Sequence, residues 1–309
     1  MTGPAQPADA PRVVRLETLR DFIKPLRVEP GRKVRLPQDY DTAYKPDNLD
    51  KKDAGPLLAR GIELLAEYQA RLAAQDTYGL LVVFQAMDAA GKDGTIKHVM
   101  SGVNPQGVEV TSFKVPSTEE LDHDYLWRAA KRLPGRGTIG IFNRSYYEEV
   151  LVVRVHKEIL LGQHLPKSAK RGDVWSRRFR EINDWERYLT DNGIRIVKLF
   201  LNVSREEQKR RFLGRIEEQE RNWKFSPADI RERKRWDDYQ KAFAEVLSNT
   251  STEHAPWYVI PADRKWLMRV AAAAVILDEL VRIDPKFPVI DEAARTAMLE
   301  AKAELVAEE

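Results

Sequence analysis

The residues best suited to chemistry stand in AMDAAGKDGT, residues 86–95, which follow a short apolar run and precede a segment with helical spacing. A loop between a buried strand and a helix turns its backbone N–H groups inward at the positive end of the helix, where they bind phosphate oxygens. The Lys92 ammonium would add a charge at the phosphate, and we expect it to be reachable from solvent. The predicted phosphate-binding residues are Ala90, Gly91, Lys92, Asp93, Gly94 and Thr95.

This stretch matches the Walker A pattern G-x-x-x-x-G-K-[ST] imperfectly. Ala86 stands at the first glycine and Asp93 at the Mg²⁺-binding hydroxyl. An ordinary strand-to-helix turn with a surface lysine is the alternative. Asp88 argues against that alternative, because a carboxylate inside a phosphate loop repels the ligand unless a divalent cation lies between them. We therefore expect Asp88 to bind Mg²⁺, or Mn²⁺ in its place.

A second candidate site is FNRSYYEE, residues 142–149, which ends another apolar run. In open parallel sheets ligands collect at the carboxyl ends of strands, so Asn143 and Arg144 should face the phosphate loop. The planar guanidinium of Arg144 suits the charge that is spread over phosphoryl oxygens. A surface arginine at the end of a strand is the alternative.

A third basic segment, residues 205–235, contains Arg211 and Arg215, which share one helix face because they are four residues apart. In phosphoryl-transfer enzymes with this order of elements, such a segment is a lid that excludes water and delivers charge when both substrates are bound. A solvated amphipathic helix is the alternative for a run of this composition.

The composition limits the class of protein. With 309 residues, 43% of them apolar, the chain can bury one large α/β core. It has no cysteine, which excludes disulfides, thiolate metal sites and cysteine nucleophiles. No run of 18 apolar residues occurs and the first residues lack an apolar signal core, so we expect a cytoplasmic protein without a membrane span.

The predicted elements alternate as in a parallel sheet with helices on both faces. Apolar runs predict strands at residues 78–84, 108–115, 138–142, 194–203 and 257–260. Helical spacing and capping residues predict helices at residues 57–73, 118–131, 173–190 and 265–283. We divide the chain into an N-terminal arm (1–50, disordered to about residue 14), one domain (51–290) and a C-terminal helix or tail (291–309).

Five segments together resemble the polyphosphate kinase 2 family, in order and spacing, from about residue 30 to 285: AMDAAGKDGTIK, FNRSYYEE, SREEQKRRFLGR, WKFSPAD and PADRKW. The resemblance implies a thymidylate-kinase-like P-loop fold of three layers with a helical lid. It also implies reversible, Mg²⁺-dependent phosphoryl transfer between inorganic polyphosphate and nucleotides. The catalytic residues that carry over are the metal-site carboxylate Asp88, the loop lysine Lys92, and the arginines Arg144, Arg211 and Arg215.

The chain departs from the commonest family pattern, F-D-R-S-W-Y-N. Asn143 replaces an aspartate that helps to hold Mg²⁺, Tyr146 replaces the tryptophan, and Glu148 replaces the last asparagine. The chain's pattern resembles the class III subgroup, which phosphorylates both AMP and ADP, and it implies nucleotide contacts from Asn143, Arg144 and Glu148. Glu148 is the residue expected to set acceptor length. A helix cap or a solvated side chain is the alternative for it.

The resulting hypothesis is in-line transfer from the end of polyphosphate to AMP or ADP, which yields ADP or ATP and could serve ATP regeneration. The phosphate oxygen of the acceptor is itself the nucleophile, so no serine, cysteine or histidine nucleophile is needed. Lys97 and Lys114 could line a groove for the polyanion, whose affinity would fall with salt. We expect a homo-oligomer, either a dimer or a tetramer.

Two other classes of protein fit parts of the pattern. An ATP-dependent nucleoside monophosphate kinase has the same fold and differs in its donor. A nucleic-acid-binding protein would use aromatic residues among basic ones as stacking platforms, and the chain has seven Trp and ten Tyr. The Trp residues are spread along amphipathic helices, where core packing is their ordinary role, so no nucleic-acid partner is expected.

Overall fold

One sheet of five parallel strands carries the loops singled out in the sequence. The computed structural model describes residues 16–220 and 222–308, so the disorder predicted up to about residue 14 lies outside the described residues. The strand order is β2-β3-β1-β4-β5, with β1 at the centre. The strands are β1 Gly79–Ala86, β2 Val108–Ser112, β3 Ile139–Asn143, β4 Ile194–Asn202 and β5 Trp257–Pro261.

Helices connect the strands and cover both faces of the sheet. In chain order they are α1 Leu16–Ile23, α2 Ala54–Gln75, α3 Lys92–Val99, α4 Thr118–Asp122, α5 Trp127–Ala130, α6 Val152–Val155, α7 Lys157–Gly162, α8 Val174–Asp191, α9 Arg205–Glu217, α10 Pro227–Arg233, α11 Trp236–Thr250, α12 Lys265–Ile283 and α13 Glu292–Val306. Short 3₁₀ helices include Tyr146–Val150 after β3 and Asn222–Lys224 between α9 and α10.

The central strand β1 is buried along its whole length, which its continuous apolar sequence predicts. Leu80, Val82 and Phe84 pack on one face of the sheet with residues of α2 and α12. Leu81 and Val83 pack on the other face with residues of α8 and α11. The predicted α/β architecture, a parallel sheet between two helical layers, is therefore confirmed.

Two of the predicted boundaries are wrong. The single helix expected at residues 118–131 is two short helices, α4 and α5. The chain leaves α4 at His123, whose backbone is extended, and the Asp124 carboxylate accepts a bond from the Leu126 N–H at 2.9 Å. This local turn competes with the helix for the same backbone groups. The strand expected to reach residue 115 ends at Ser112, where its pairing with β3 ends.

Parts of the segment that precedes α2 contact the strands β5 and β4. The Val28 N–H donates to the Trp257 carbonyl at 2.9 Å, and Arg27 forms an antiparallel bridge with Tyr258. Farther along, the Asn202 side chain donates to the Tyr40 carbonyl at 3.0 Å. These contacts cover an edge that would otherwise leave peptide groups unpaired.

The C-terminal helix α13 is exposed along its whole length. Within residues 16–220 and 222–308, no helix is both long enough and apolar enough to cross a membrane.

We predict that Gly79→Ala destabilises the sheet at the start of β1. A Cβ atom at this position would lie 2.8 Å from the Gly135 carbonyl oxygen and 3.0 Å from the Ile194 side chain. Overpacking of this kind lowers the free energy of unfolding by about 1–3 kcal/mol. Gly55→Ala in α2 is the control, because its Cβ would meet open space. Urea denaturation of both variants checks the prediction, and equal stability of the two would contradict it.

Candidate active site

The loop between β1 and α3 contains two residues with left-handed backbone. Ala89 has φ 60° and Gly91 has φ 105°. A Cβ on Gly91 would also lie 3.1 Å from the end of the Met268 side chain, which would have to shift slightly, so the backbone conformation is the main reason for glycine there. A non-glycine residue such as Ala89 keeps this conformation only where the surrounding structure holds it. The loop is therefore shaped by its neighbours as well as by its own sequence.

Lys92 is more enclosed than the sequence suggested. The expectation of a solvent-reachable side chain is wrong, because the residue is 9% exposed and its ammonium donates to the Ala86 carbonyl at 3.0 Å. The loop folds over its own lysine, which no sequence pattern specifies. Burial, and after it the positive charge of Arg144, lower the pKa of Lys92 to about 8. Three carboxylates partly offset these effects, those of Asp88, Glu148 and Asp93.

Arg144 joins the two predicted loops. Its guanidinium lies 2.7 Å from the Asp88 carboxylate of the phosphate loop and 3.1 Å from the Glu148 carboxylate. These contacts, with that of Glu148 first, raise the pKa of Arg144 despite partial burial. Its backbone has φ 63°, and its N–H donates to the Phe84 carbonyl at 3.0 Å. The structure thus places Arg144 against the phosphate loop, because β3 lies beside β1 and the two strands end at the same edge of the sheet.

The neighbours of Arg144 make further links between the loops. The Asn143 amide donates to the Asp93 carboxylate at 2.7 Å. Ser145 caps the 3₁₀ helix Tyr146–Val150, since its hydroxyl accepts a bond from the Tyr147 N–H at 3.1 Å. Glu148 lies on this helix, and its carboxylate contacts the Arg144 guanidinium.

The two arginines predicted to lie on a lid, Arg211 and Arg215, have different surroundings. Arg211 is 9% exposed, and its guanidinium donates to the carbonyls of Ala89, Ala90 and Ala262 while contacting Glu207. It therefore fastens helix α9 to the phosphate loop and to the end of β5, whereas the sequence suggested a side chain on an open lid. Arg215, one turn later, is partly exposed and lies 3.9 Å from Asp229 of α10.

Several residues around the site were missed by the sequence analysis. Gln208 donates to the Asp88 carbonyl at 2.9 Å, and its position three residues before Arg211 on one helix face could have revealed it. Glu232 of α10 accepts bonds from the Tyr239 hydroxyl at 2.7 Å and pairs with His156 at 2.9 Å. The contact with His156 joins segments 76 residues apart in the chain, and no local pattern indicates it.

A cavity opens beside Arg144, between the loop after β3 and helix α10. Its wall combines apolar side chains with an excess of carboxylates, and burial raises the pKa of one of them, Asp229. Such a wall suits a ligand that brings hydrogen-bond donors or a cation. The charged lining residues are Asp88, Arg144, Glu148, Asp229, Glu232 and Arg233.

The predicted polyanion contacts Lys97 and Lys114 are both exposed, on α3 and just after β2 respectively. Neither side chain has a contact with the phosphate loop among the described residues. The Thr95 hydroxyl donates to the Gly91 carbonyl at 3.0 Å, within the first turn of α3.

A divalent cation fits the site only if a bound phosphate supplies further oxygen ligands. Among residues 16–220 and 222–308, no group of three acidic or histidine side chains could hold a metal ion. Asp88 is 29% exposed in its side chain and lies in the phosphate loop. One carboxylate with phosphate oxygens and water is a usual environment for Mg²⁺. The residues present therefore fit a metal that arrives with a phosphate ligand.

A parallel sheet in this strand order, with a glycine-containing loop and a buried lysine after its central strand, belongs to the P-loop kinase fold class. The family model for polyphosphate kinase 2 matches residues 48–288. The chain therefore belongs to the polyphosphate kinase 2 family.

Relatives and solved structures agree with this assignment. The chain is 47% identical to an ADP-polyphosphate phosphotransferase of Rhodopseudomonas palustris over 92% of its length and 98% of the relative. It is 40% identical to an AMP/ADP-polyphosphate phosphotransferase of Meiothermus ruber over 90% of its length and all of the relative. The crystal structure of polyphosphate kinase 2 from Arthrobacter aurescens TC1 superposes with a TM-score of 0.79 at 39% identity, covering 89% of this chain and 95% of that one.

We predict that affinity for a phosphate chain falls about tenfold per pH unit above pH 8. Below the pKa of Lys92 the ammonium is already charged, whereas above it a proton must be taken up on binding. Titration calorimetry with tripolyphosphate from about pH 6.5 to 9.5 measures this effect. Lys92→Arg is the control, since its guanidinium stays charged while the ligand titrates equally in both proteins. The same pH dependence in both proteins would contradict the prediction.

We predict that substitutions of Arg211 and Arg215 change the free energy of unfolding by different amounts. Arg211→Ala leaves buried carbonyls without a donor and should lower the free energy of unfolding by about 2–4 kcal/mol. Arg215→Ala removes one long, partly exposed contact and should change it by less than about 0.5 kcal/mol. Urea denaturation of the two variants checks the difference. Equal effects would show that the bonds of Arg211 to the loop contribute nothing.

Proposed function

We propose that the protein transfers phosphoryl groups from inorganic polyphosphate to AMP and ADP, reversibly. The observation that carries the proposal is the position of Arg144, which contacts Asp88 of the phosphate loop and Glu148 at once, close to the buried Lys92. This places two cations and two carboxylates at one edge of the sheet. Cations that neutralise the transferring group, with a carboxylate able to hold a metal ion, suit phosphoryl transfer, and membership of the family supports polyphosphate as the donor.

The chemistry needs position and charge more than a protein nucleophile. A phosphate oxygen of the nucleotide attacks the terminal phosphorus of polyphosphate, and the bond from that phosphorus to the bridging oxygen breaks. The chain shortened by one phosphate leaves with the bonding electron pair. Lys92 and Arg144 neutralise the charge on the transferring group. When bound through Asp88, Mg²⁺ would supply further neutralisation on the phosphate oxygens.

The remaining parts of the proposal concern partners and location. We place the protein in the cytoplasm, where its nucleotides occur, and expect a homo-oligomer. The exposed Lys97 and Lys114 would contact the distal part of the polyanion, which makes binding salt-dependent.

A donor assay tests the proposal. Purified protein is incubated with AMP or ADP, Mg²⁺ and either polyphosphate or ATP, and the nucleotides are separated by chromatography. Formation of ADP and ATP from polyphosphate is the expected result. Transfer from ATP with none from polyphosphate would select a nucleoside monophosphate kinase. Tight binding of single-stranded DNA, not displaced by polyphosphate, would select a nucleic-acid-binding protein.

We predict that Asp88→Asn raises the Mg²⁺ concentration needed for half-maximal turnover by about tenfold or more. Asn143 supplies a neutral oxygen where the commoner family pattern has a carboxylate, so Asp88 carries the charge compensation of the metal. Asn143→Asp is the companion variant and should lower the Mg²⁺ requirement. Turnover is measured against Mg²⁺ concentration at saturating nucleotide. Full turnover of the wild-type protein in excess chelator would contradict the metal role.

We predict that Glu148→Asn lowers kcat/KM for AMP about 10- to 150-fold relative to ADP, the value of one hydrogen bond to a charged group. The AMP phosphate must reach the place of the ADP β-phosphate, so the shorter acceptor depends more on the wall of the cavity. Glu148 lines that cavity and orients Arg144. Steady-state kinetics with both acceptors measures the ratio. Equal losses for AMP and ADP would place the choice of acceptor elsewhere.

A further inference from the structure

A buried polar cluster lies beneath the loop that carries Arg144. Glu186 of α8 and Lys198 of β4 are both 0% exposed and lie 2.6 Å apart. The other Glu186 oxygen accepts bonds from the hydroxyls of Tyr146, at 2.7 Å, and Tyr147, at 2.8 Å. Lys198 also donates to the Tyr147 hydroxyl at 2.9 Å and to the Thr250 carbonyl at 2.7 Å.

Every donor of the Lys198 ammonium has a partner, and both Glu186 oxygens accept bonds. Apolar side chains of similar volume would fill such a space at no cost in stability, because a buried ion pair loses its hydration. The cluster is therefore weak evidence for stability. The cluster instead fixes the orientation of Tyr146 and Tyr147, since both tyrosine hydroxyls must point at the Glu186 carboxylate.

The cluster binds Tyr146 and Tyr147, which lie two and three residues after Arg144. Tyr146 and Tyr147 open the 3₁₀ helix on which Glu148 lies. Arg144 itself has a left-handed backbone, φ 63°, which the neighbouring structure must impose. On its other side the N–H of Arg144 is fixed to β1. The loop is thus anchored to the central strand before Arg144 and to the buried pair after it.

We propose that Glu186 and Lys198 are positioning residues, which set the acceptor preference of the enzyme by holding Tyr146 and Tyr147 and so fixing Arg144 and Glu148. The inference rests on the proposed function, in which Arg144 and Glu148 contact the acceptor. Glu186 and Lys198 touch neither substrate, since both are enclosed in the core below the loop.

Tyr147→Phe tests the inference with the smallest change. It removes one hydroxyl and keeps the ring, which packs edge-on against Trp257 at 4.8 Å. We expect kcat/KM for AMP to fall about tenfold more than that for ADP, with the KM for polyphosphate changed less than about twofold. Glu186→Gln should shift the same ratio in the same direction. Tyr258→Phe is the matched control, since Tyr258 is a buried tyrosine on the other face of the sheet, and it should leave the ratio unchanged.

The ratio of kcat/KM for AMP to kcat/KM for ADP distinguishes a positioning role of the cluster from a purely structural one. A purely structural role would reduce the amount of active protein and lower both acceptor rates equally, so an unchanged ratio in Tyr147→Phe would overturn the inference. Wild-type protein in the same assay tests the proposed function separately, because that function fails if polyphosphate donates nothing. Calorimetry with AMP and with ADP then still tests the inference: an AMP affinity that weakens about tenfold more than the ADP affinity in Tyr147→Phe supports it, and an unchanged ratio of the two affinities overturns it.

Discussion

The ion pair between Arg144 and Asp88 is the contact on which the rest of the site depends. It joins the loop after β1 to the loop after β3 across 56 residues of chain, at a distance of 2.7 Å. Ala89, beside Asp88, and Arg144 itself both have left-handed backbone, a costly conformation for residues with a Cβ. Arg211 binds the carbonyls of Ala89 and Ala90 on one loop, and Glu186 binds the hydroxyls of Tyr146 and Tyr147 on the other.

Charge is distributed unevenly around this contact. The phosphate loop encloses a lysine whose pKa is lowered by burial, while the cavity beside it is lined with carboxylates. A phosphate ligand that brought a cation would restore the charge of the lysine and offset the carboxylates. Arg144 contacts a carboxylate of the loop and one of the cavity wall, Asp88 and Glu148.

Sequence reasoning located most of the fold and the residue types of the site. Five strands, the phosphate loop and the approach of Arg144 followed from apolar runs, from glycine positions and from the rule that ligands collect at carboxyl ends of parallel strands. It failed where a short-range bond competes with a helix, as at Asp124, and where burial depends on distant segments, as at Lys92. The contacts of Arg211 with loop carbonyls belong to the second kind.

By itself, the sequence determined the class of fold, the family and the side chains available for phosphoryl transfer, because periodicity and motif spacing are local properties of the chain. The tertiary structure decided which charged side chains are buried and which partners they bind. Arg211 and Arg215 look alike on one helix face, yet one is enclosed by carbonyls and the other is partly exposed. Glu186 and Lys198 carry no motif, and they meet because α8 packs against β4. The burial and the pairing of a charged side chain depend on which distant segments pack against each other. That packing is a property of the folded protein and is not visible in local sequence patterns.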